Sequence, residues 1–478
     1  MDIRQKVVSG LRWSTTAKFG AQLVSWACTL VVMRLLEPRD YGLMAMAVAF
    51  VSFCTLLNEM GLGAALIQAR ELSERNLRQI FGAVLVLNSA LFLLLFFGAP
   101  LIAAFFDEPR LRMYVPVLAF QFPLFAFFVV PDSMLARAMD FRKKAIIELV
   151  ATIASALTTL TMAVFGHGVW ALIAGALVFP FVRVIGLNRV VSYPRRPLFD
   201  FRGFSSLARF GGLVSLERVL WYMYSRADVF IIGKLLGAQA LGFYSVAMHL
   251  ASLPMEKVAG IMHQVGFPAF ARIQGNKDLA RNYNLKVTRI VGNLAFPIFF
   301  GLSAVAPEFV AVVLGDSWRV AILPLQLLAV VAPLRVLNIS LAPSIQGFGR
   351  PDISVKALAL ACLVMPTAFV IGAHWGLMGV SISWLVGYAL WFFYTLPWGL
   401  ALIDLPSRDL VRELVRPAGL AVAMLLLVQG MRLGMSQWHI VPPILLGVLV
   451  VSGAVSYIAG VLAVNRGALR EVWGIVRG

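Results

Sequence analysis

The chain reads as an all-α polytopic membrane protein of about 14 transmembrane helices, built as two parallel six-helix repeats plus two C-terminal helices. Three observations predict this. Hydrophobic residues make up 60% of the 478 positions and charged residues only 13%, a balance foreign to a soluble domain of that length. Apolar stretches of about 20 residues recur from end to end, each long enough to cross the hydrocarbon core as a helix. Backbone groups in lipid must be paired within the segment, which favours helices. Third, Arg34-Leu35-Leu36-Glu37-Pro38-Arg39-Asp40-Tyr41-Gly42-Leu43-Met44-Ala45-Met46-Ala47 aligns without a gap on Lys234-Leu235-Leu236-Gly237-Ala238-Gln239-Ala240-Leu241-Gly242-Phe243-Tyr244-Ser245-Val246-Ala247, a spacing of 200 residues. In both copies a basic residue and Leu-Leu close one apolar segment, and a Gly after a short turn opens the next.

The expected spans are 11–36, 41–65, 80–105, 113–137, 145–165, 168–188, 208–236, 241–265, 287–313, 320–346, 353–373, 376–401, 411–432 and 441–464. The first is too long for a signal-peptide core and lacks a clear cleavage site, so it counts as a membrane helix. With the N-terminus taken as cytoplasmic, 27 of the Lys and Arg residues fall in inner segments and 7 in outer ones. That asymmetry predicts both termini in the cytoplasm, and it accounts for the net charge of +18 without invoking nucleic acid. The outer connections are short; Gly166-His167-Gly168 is nearly a bare turn. The inner stretch 267–286 mixes aromatics with Arg272, Lys277 and Arg281 and reads as a basic loop or an interfacial helix.

The expected organisation is an N-terminal six-helix lobe over 1–190, a basic cytoplasmic linker over 191–207, a second six-helix lobe over 208–405, and two extra helices with a tail over 406–478. The linker carries Tyr193-Pro194-Arg195-Arg196-Pro197. Six spans per repeat is an even number, so the repeats run parallel, an arrangement that places a substrate site at the repeat interface. This is the organisation of a transporter.

Charges at bilayer depth are costly and mark pathways or paired sites. Span 7 holds the most: Glu217, Arg218, Arg226 and Asp228, with Trp221, Tyr222, Tyr224 and Ser225 between them. Glu217, Trp221, Tyr224 and Asp228 share one helical stripe. Span 1, its repeat partner, carries Lys18 and Gln22; span 2 adds Asn58 and Glu59, span 4 Asp132, and span 10 Arg335. Lys18, Arg218, Arg226 and Arg335 are the candidate cavity cations, suited to a phosphate-bearing ligand because guanidinium forks match phosphate oxygens and Lys acts as a point charge. Gln22, Asn58, Glu59, Glu217, Tyr222 and Asp228 are candidate polar or ion-coupling groups.

No Walker A loop, HExxH or GxSxG occurs, so neither an enzyme nor a cofactor is expected. Cys28, Cys54 and Cys362 sit within apolar segments, with neither disulfide nor metal spacing.

Several segments resemble a known family. Arg34-Leu35-Leu36-Glu37-Pro38-Arg39-Asp40-Tyr41-Gly42, Gly63-Ala64-Ala65-Leu66-Ile67-Gln68, Met134-Leu135-Ala136-Arg137-Ala138-Met139-Asp140-Phe141-Arg142 and Gly315-Asp316-Ser317-Trp318 are similar, in order and spacing, to the Wzx-type polysaccharide transporters. These are a family of the multidrug/oligosaccharidyl-lipid/polysaccharide exporter superfamily, and the resemblance is in particular to its colanic-acid-exporter-like branch. The resemblance implies a V of two six-helix lobes around a cationic cavity. It implies a flippase that moves an undecaprenyl-diphosphate-linked oligosaccharide to the outer leaflet of a bacterial inner membrane by alternating access. Membrane lipids, a polysaccharide polymerase and a chain-length regulator are the partners it implies. The competing expectation on the same fold is an ion-coupled small-molecule or drug antiporter.

Overall fold

The computed structural model describes residues 20, 22, 25–58, 66, 73–194, 196–199, 205–273, 275–438 and 440–464. Among these the regular structure is helical. Eleven helices are long and apolar enough to cross a membrane, and they fall on spans 2–6 and 9–14. Span 1 contributes the apolar helix α1, Ser25–Leu35. Spans 7 and 8 are α8, Ser205–Leu235, and α9, Gly237–Ile273. The chain is a multi-pass helical membrane protein.

The chain folds as two compact units: residues 1–222 with 237–242, and residues 223–236 with 243–478. In the first unit, α2 (Pro38–Asn58) is followed by α3 (Glu74–Phe106), α4 (Leu111–Ala119) and α5 (Gln121–Arg137). Next come α6 (Phe141–Val164) and α7 (Val169–Val190). Short polar residues cap two of these helices. Ser73 accepts the Asn76 N–H ahead of α3, and Asp140 accepts the Lys143 N–H ahead of α6. Burial pushes the Asp140 carboxyl up, but its hydrogen bonds from the Lys143 side chain and backbone outweigh that and hold it below the usual carboxylate range. Span 4 divides at Phe120 into α4 and α5, with Pro116 inside α4 and Pro123 at the start of α5.

Small residues let helices approach within this unit. On α6, Ser155 donates to the Gly175 carbonyl of α7 at 2.8 Å. The residues after α7 are docked along α3: Leu198 N–H donates to the Arg78 carbonyl at 2.9 Å, and Arg78 Nε donates to the Arg196 carbonyl at 3.0 Å. A Cβ on Gly82 would come within 2.6 Å of the Leu198 oxygen. Tyr193 is buried edge-on against Phe81.

The repeat block makes its own contact. A methyl group placed on Gly42 would overlap the Ala238 carbonyl oxygen, and one on Gly242 would overlap the Pro38 carbonyl oxygen. Gly42 and Gly242, like Pro38 and Ala238, are equivalent positions of the two copies. The copies therefore cross inside the first unit at backbone contact, each supplying the glycine that the other's carbonyl requires.

In the second unit the stretch 267–286, expected to be a loop or an interfacial helix, is helical almost throughout. Helix α9 runs to Ile273, and α10 (Lys277–Phe309) starts behind Asn276, which accepts the Leu279 N–H. At the far end of α10 a π-turn (Val310–Leu314) leads to Gly315 at φ 92, then a 3-10 turn (Asp316–Ala321). That turn buries Trp318 completely against Phe243. The remaining helices are α11 (Ile322–Gly347), α12 (Pro351–Ala373), α13 (Gly376–Leu400), α14 (Ser407–Met435) and α15 (Pro442–Val464). The last two dock on α10. Arg281 pairs with Asp409, Arg289 grips Glu413 with both Nε and Nη2, and Ala304, Val305, Val428 and Leu449 form an apolar cluster.

Candidate functional site

Helix α8 is span 7, which carries more charged residues than any other expected span, and its two ends belong to different units. Tyr222 is buried in the first, where its hydroxyl donates to the Ala49 carbonyl and its ring meets Phe53. Tyr224 and Asp228 are buried in the second, while Trp221 and Arg226 are exposed.

Within the second unit Asp228 anchors a connected polar chain. Its carboxylate accepts the Val229 N–H at 2.8 Å and the Tyr244 hydroxyl at 2.6 Å. That hydroxyl in turn accepts Trp384 Nε1–H at 2.5 Å. The Arg335 guanidinium lies 4.5 Å from the centre of a Trp384 ring, and its Nη1 reaches Met248 Sδ at 3.3 Å. Asp228 comes from α8, Tyr244 from α9, Arg335 from α11 and Trp384 from α13. Aromatic rings enclose the chain: Tyr224 stacks on Trp391 at 5.9 Å, and Tyr388 meets Trp391 at 5.2 Å. An acid and a guanidinium are thus held in one aromatic-walled interior, joined through a phenol and an indole. Arg335 has its charge spread over a π-face, where cation–π attraction offsets part of its desolvation.

The first unit has a second charged cluster, where α5, α6 and α7 meet. Asp132 accepts from Lys144 at 2.9 Å and from Arg183 at 3.1 Å, and Glu148 lies 4.0 Å from Arg183. The Arg183 guanidinium lies 4.5 Å from the Phe128 ring centre. The cluster balances two cations with two carboxylates. Asp132→Ala leaves Arg183 largely buried with its nearest partner removed. Partial exposure tempers the cost, so a loss of about 2–3 kcal/mol of stability is expected, with Asp132→Asn milder. Thermal unfolding of the purified variants checks the order.

The sequence candidates are distributed as follows. Lys18 and Glu59 lie outside the described residues, as do the side chains of Glu217 and Arg218. Gln22 is half-buried. Asn58 accepts from Asn88 Nδ2 at 2.8 Å in the first unit. Asp228 and Arg335 are brought together in the second unit, Tyr222 sits in the first, and Arg226 is exposed. Sequence reading missed Tyr244, Trp384 and Arg183. Tyr244 lies inside the repeat block, where its counterpart is Met44, so a departure from the repeat was the available signal. Arg183 stood alone in an apolar span, and intramembrane charge was its signal. Trp384 gave none, since tryptophan in an apolar helix is ordinary core.

Comparison with known proteins follows the same lines. The chain is 28% identical to the lipopolysaccharide biosynthesis protein WzxC of Escherichia coli (strain K12) over 398 residues, 81% of this chain and 79% of that one. It is 26% identical to the teichuronic acid biosynthesis protein TuaB of Bacillus subtilis (strain 168), over 95% of both chains. Among solved structures, the lipid II flippase MurJ in an inward closed conformation superposes with a TM-score of 0.71 at 10% identity, covering 94% of this chain and 97% of that one. An inward-facing multidrug resistance MATE transporter superposes with a TM-score of 0.61 at 17% identity, covering 80% and 94%. At such identities the structures establish a shared fold. The family model for polysaccharide biosynthesis proteins matches residues 31–323, more than half the chain, and with the end-to-end relatives this places the chain in that family.

Proposed function

We propose that the protein is a flippase for a lipid-linked oligosaccharide, moving an undecaprenyl-diphosphate-linked repeat unit from the inner to the outer leaflet of a bacterial inner membrane. The carrying observation is similarity along 95% of the chain to a teichuronic acid biosynthesis protein, joined by similarity to a succinoglycan biosynthesis transport protein from Rhizobium meliloti (strain 1021). The fold is shared by a lipid II flippase and a multidrug transporter alike, so it favours neither substrate. The relatives by sequence carry polysaccharide names, and this supports the flippase over the drug antiporter.

In this reading both termini are cytoplasmic, as the basic-residue asymmetry suggests. The repeats over 1–190 and 208–405 work by alternating access. Lys18, Arg218, Arg226 and Arg335 meet the diphosphate. Asp228 is the group whose charge state couples to the cycle, its buried carboxylate being tied to Arg335 through Tyr244 and Trp384. Glu59, Glu217, Gln22, Asn58 and Tyr222 supply polar contacts along the path. A polymerase and a chain-length regulator act downstream on the delivered unit.

The test is genetic. Deleting the gene in its host, with any redundant flippase also removed, is expected to abolish one surface or secreted polysaccharide and to strand its lipid-linked unit in the inner leaflet. Normal polymer in that strain overturns the reading.

A further inference from the structure

A hydroxyl-lined cavity of about 340 Å³ lies within the first unit, between α1, the start of α2, α6 and α7. Its polar wall is Ser25, Thr29, Tyr41, Thr152, Ser155 and Thr159. Among the described residues no carboxylate, Lys or Arg lines it. Val32, Leu172 and Phe179 give it an apolar side.

The hydrogen bonds of α6 determine what this wall can bind. Thr152 donates to the Glu148 carbonyl at 2.8 Å, Ser155 to the Gly175 carbonyl at 2.8 Å, and Thr159 to the Ser155 carbonyl at 2.9 Å. Each hydroxyl has one proton, and these three protons are committed to backbone oxygens. What remains on each is acceptor capacity. The α6 side of the cavity is therefore rich in acceptors and poor in donors.

That chemistry disfavours three occupants. An anion finds no cation among the described lining residues, and three of the hydroxyl protons are already committed. A hydrocarbon tail would leave the remaining acceptor capacity of these hydroxyls unused. A single bare cation needs oxygens converging within about 2.6 Å, whereas this space holds roughly ten water-sized volumes. A neutral ligand bristling with O–H donors fits, and one with an apolar ring face also uses Phe179, Val32 and Leu172.

We infer that this cavity is a saccharide subsite, taking one uncharged sugar residue whose hydroxyls donate to Thr152, Ser155 and Thr159 and whose ring packs on the apolar side. The inference rests on the flippase reading and deepens it: it assigns the sugar part of the cargo a place inside the first unit.

Cys28 lines the same cavity and supplies the readout. It is half-buried, Cys54 is buried, and Cys362 is removed by Cys362→Ala. The full-length protein, solubilised in detergent, is modified with N-ethylmaleimide, and the Cys28 rate is followed by mass spectrometry. The probes are methyl glycosides of glucose, galactose, mannose and N-acetylglucosamine, with dodecyl diphosphate and sodium chloride as comparators. At twice its dissociation constant a bound sugar is expected to slow Cys28 about threefold, and the comparators leave the rate unchanged. Thr159→Val, which keeps the shape and removes the hydroxyl, and Ala156→Phe, which fills the space, are both expected to abolish protection; Thr29→Val serves if either fails to fold.

An unchanged rate with all four glycosides overturns the inference, and equal protection by sodium or dodecyl diphosphate overturns it in favour of a cation or lipid site. The two readings fail separately. Loss of polymer in the gene deletion without sugar protection of Cys28 removes only the saccharide pocket. Protection by a sugar with normal polymer in the deletion removes only the flippase.

Discussion

Replacing Gly42 by alanine is expected to destabilise the protein by about 3 kcal/mol or more, at the upper end of what one added methyl costs in a packed interior. The methyl would overlap a backbone carbonyl, that of Ala238, which has no alternative rotamer with which to escape. The helices must separate instead, and separation also loosens the reciprocal contact of Gly242 with the Pro38 carbonyl. Gly242→Ala is therefore expected to cost a similar amount. The two substitutions open the same gap, so the double variant should lose clearly less than the sum of the singles. Size-exclusion profiles and thermal midpoints of the purified proteins measure this. A Gly42→Ala protein that melts with the parent would show that the crossing is not tight.

Asp228→Ala is expected to lower polymer export by about tenfold or more, which corresponds to about 1.4 kcal/mol on a rate-limiting barrier. Removing the carboxylate takes away the acceptor of the Tyr244 hydroxyl proton, and it leaves the Val229 N–H without that acceptor as well. The bond from Trp384 gives no compensation, because there the Tyr244 oxygen is itself the acceptor. Each orphaned group costs about 1–3 kcal/mol. Part of the loss is then structural, and Asp228→Asn separates the two contributions. The amide keeps an acceptor oxygen and the shape but holds no charge. If the charge state of Asp228 drives the cycle, Asp228→Asn, which still serves one of the two donors, melts above Asp228→Ala and yet fails to export. Export at the parental level by Asp228→Asn refutes the coupling role and leaves Asp228 as an anchor for Tyr244.

The sequence located most of the helices because the governing constraint is local. A span must be apolar over about 20 residues and must close its own hydrogen bonds, and both properties are read along one segment. The same logic picked out Asp228 and Arg335, since charge inside such a segment is conspicuous. What it could not supply was their company. Asp228 and Arg335 are joined through Tyr244 and Trp384, residues 140 positions apart along the chain, and neither an indole nor a phenol stands out in an apolar helix. Boundaries also moved. The stretch 267–286 reads as a basic loop or an interfacial helix, and α9 and α10 continue through most of it; the pairing of Arg281 with Asp409 and Arg289 with Glu413 gives cations at the start of α10 partners on α14.

The hydroxyl cavity shows the same division. Ser25, Thr29, Thr152, Ser155 and Thr159 are unremarkable singly, and only the apposition of α1, α6 and α7 gathers them. By itself the sequence determined that the protein is helical, membrane-spanning and internally repeated, and which charges lie within its spans. Composition and period are properties of single segments. The tertiary structure decided that equivalent glycines of the two repeats cross at backbone contact, that Asp228 reaches Arg335 through two aromatic side chains, and that a neutral acceptor-lined space exists. Those depend on which side chains meet across helices, and no segment carries that information alone.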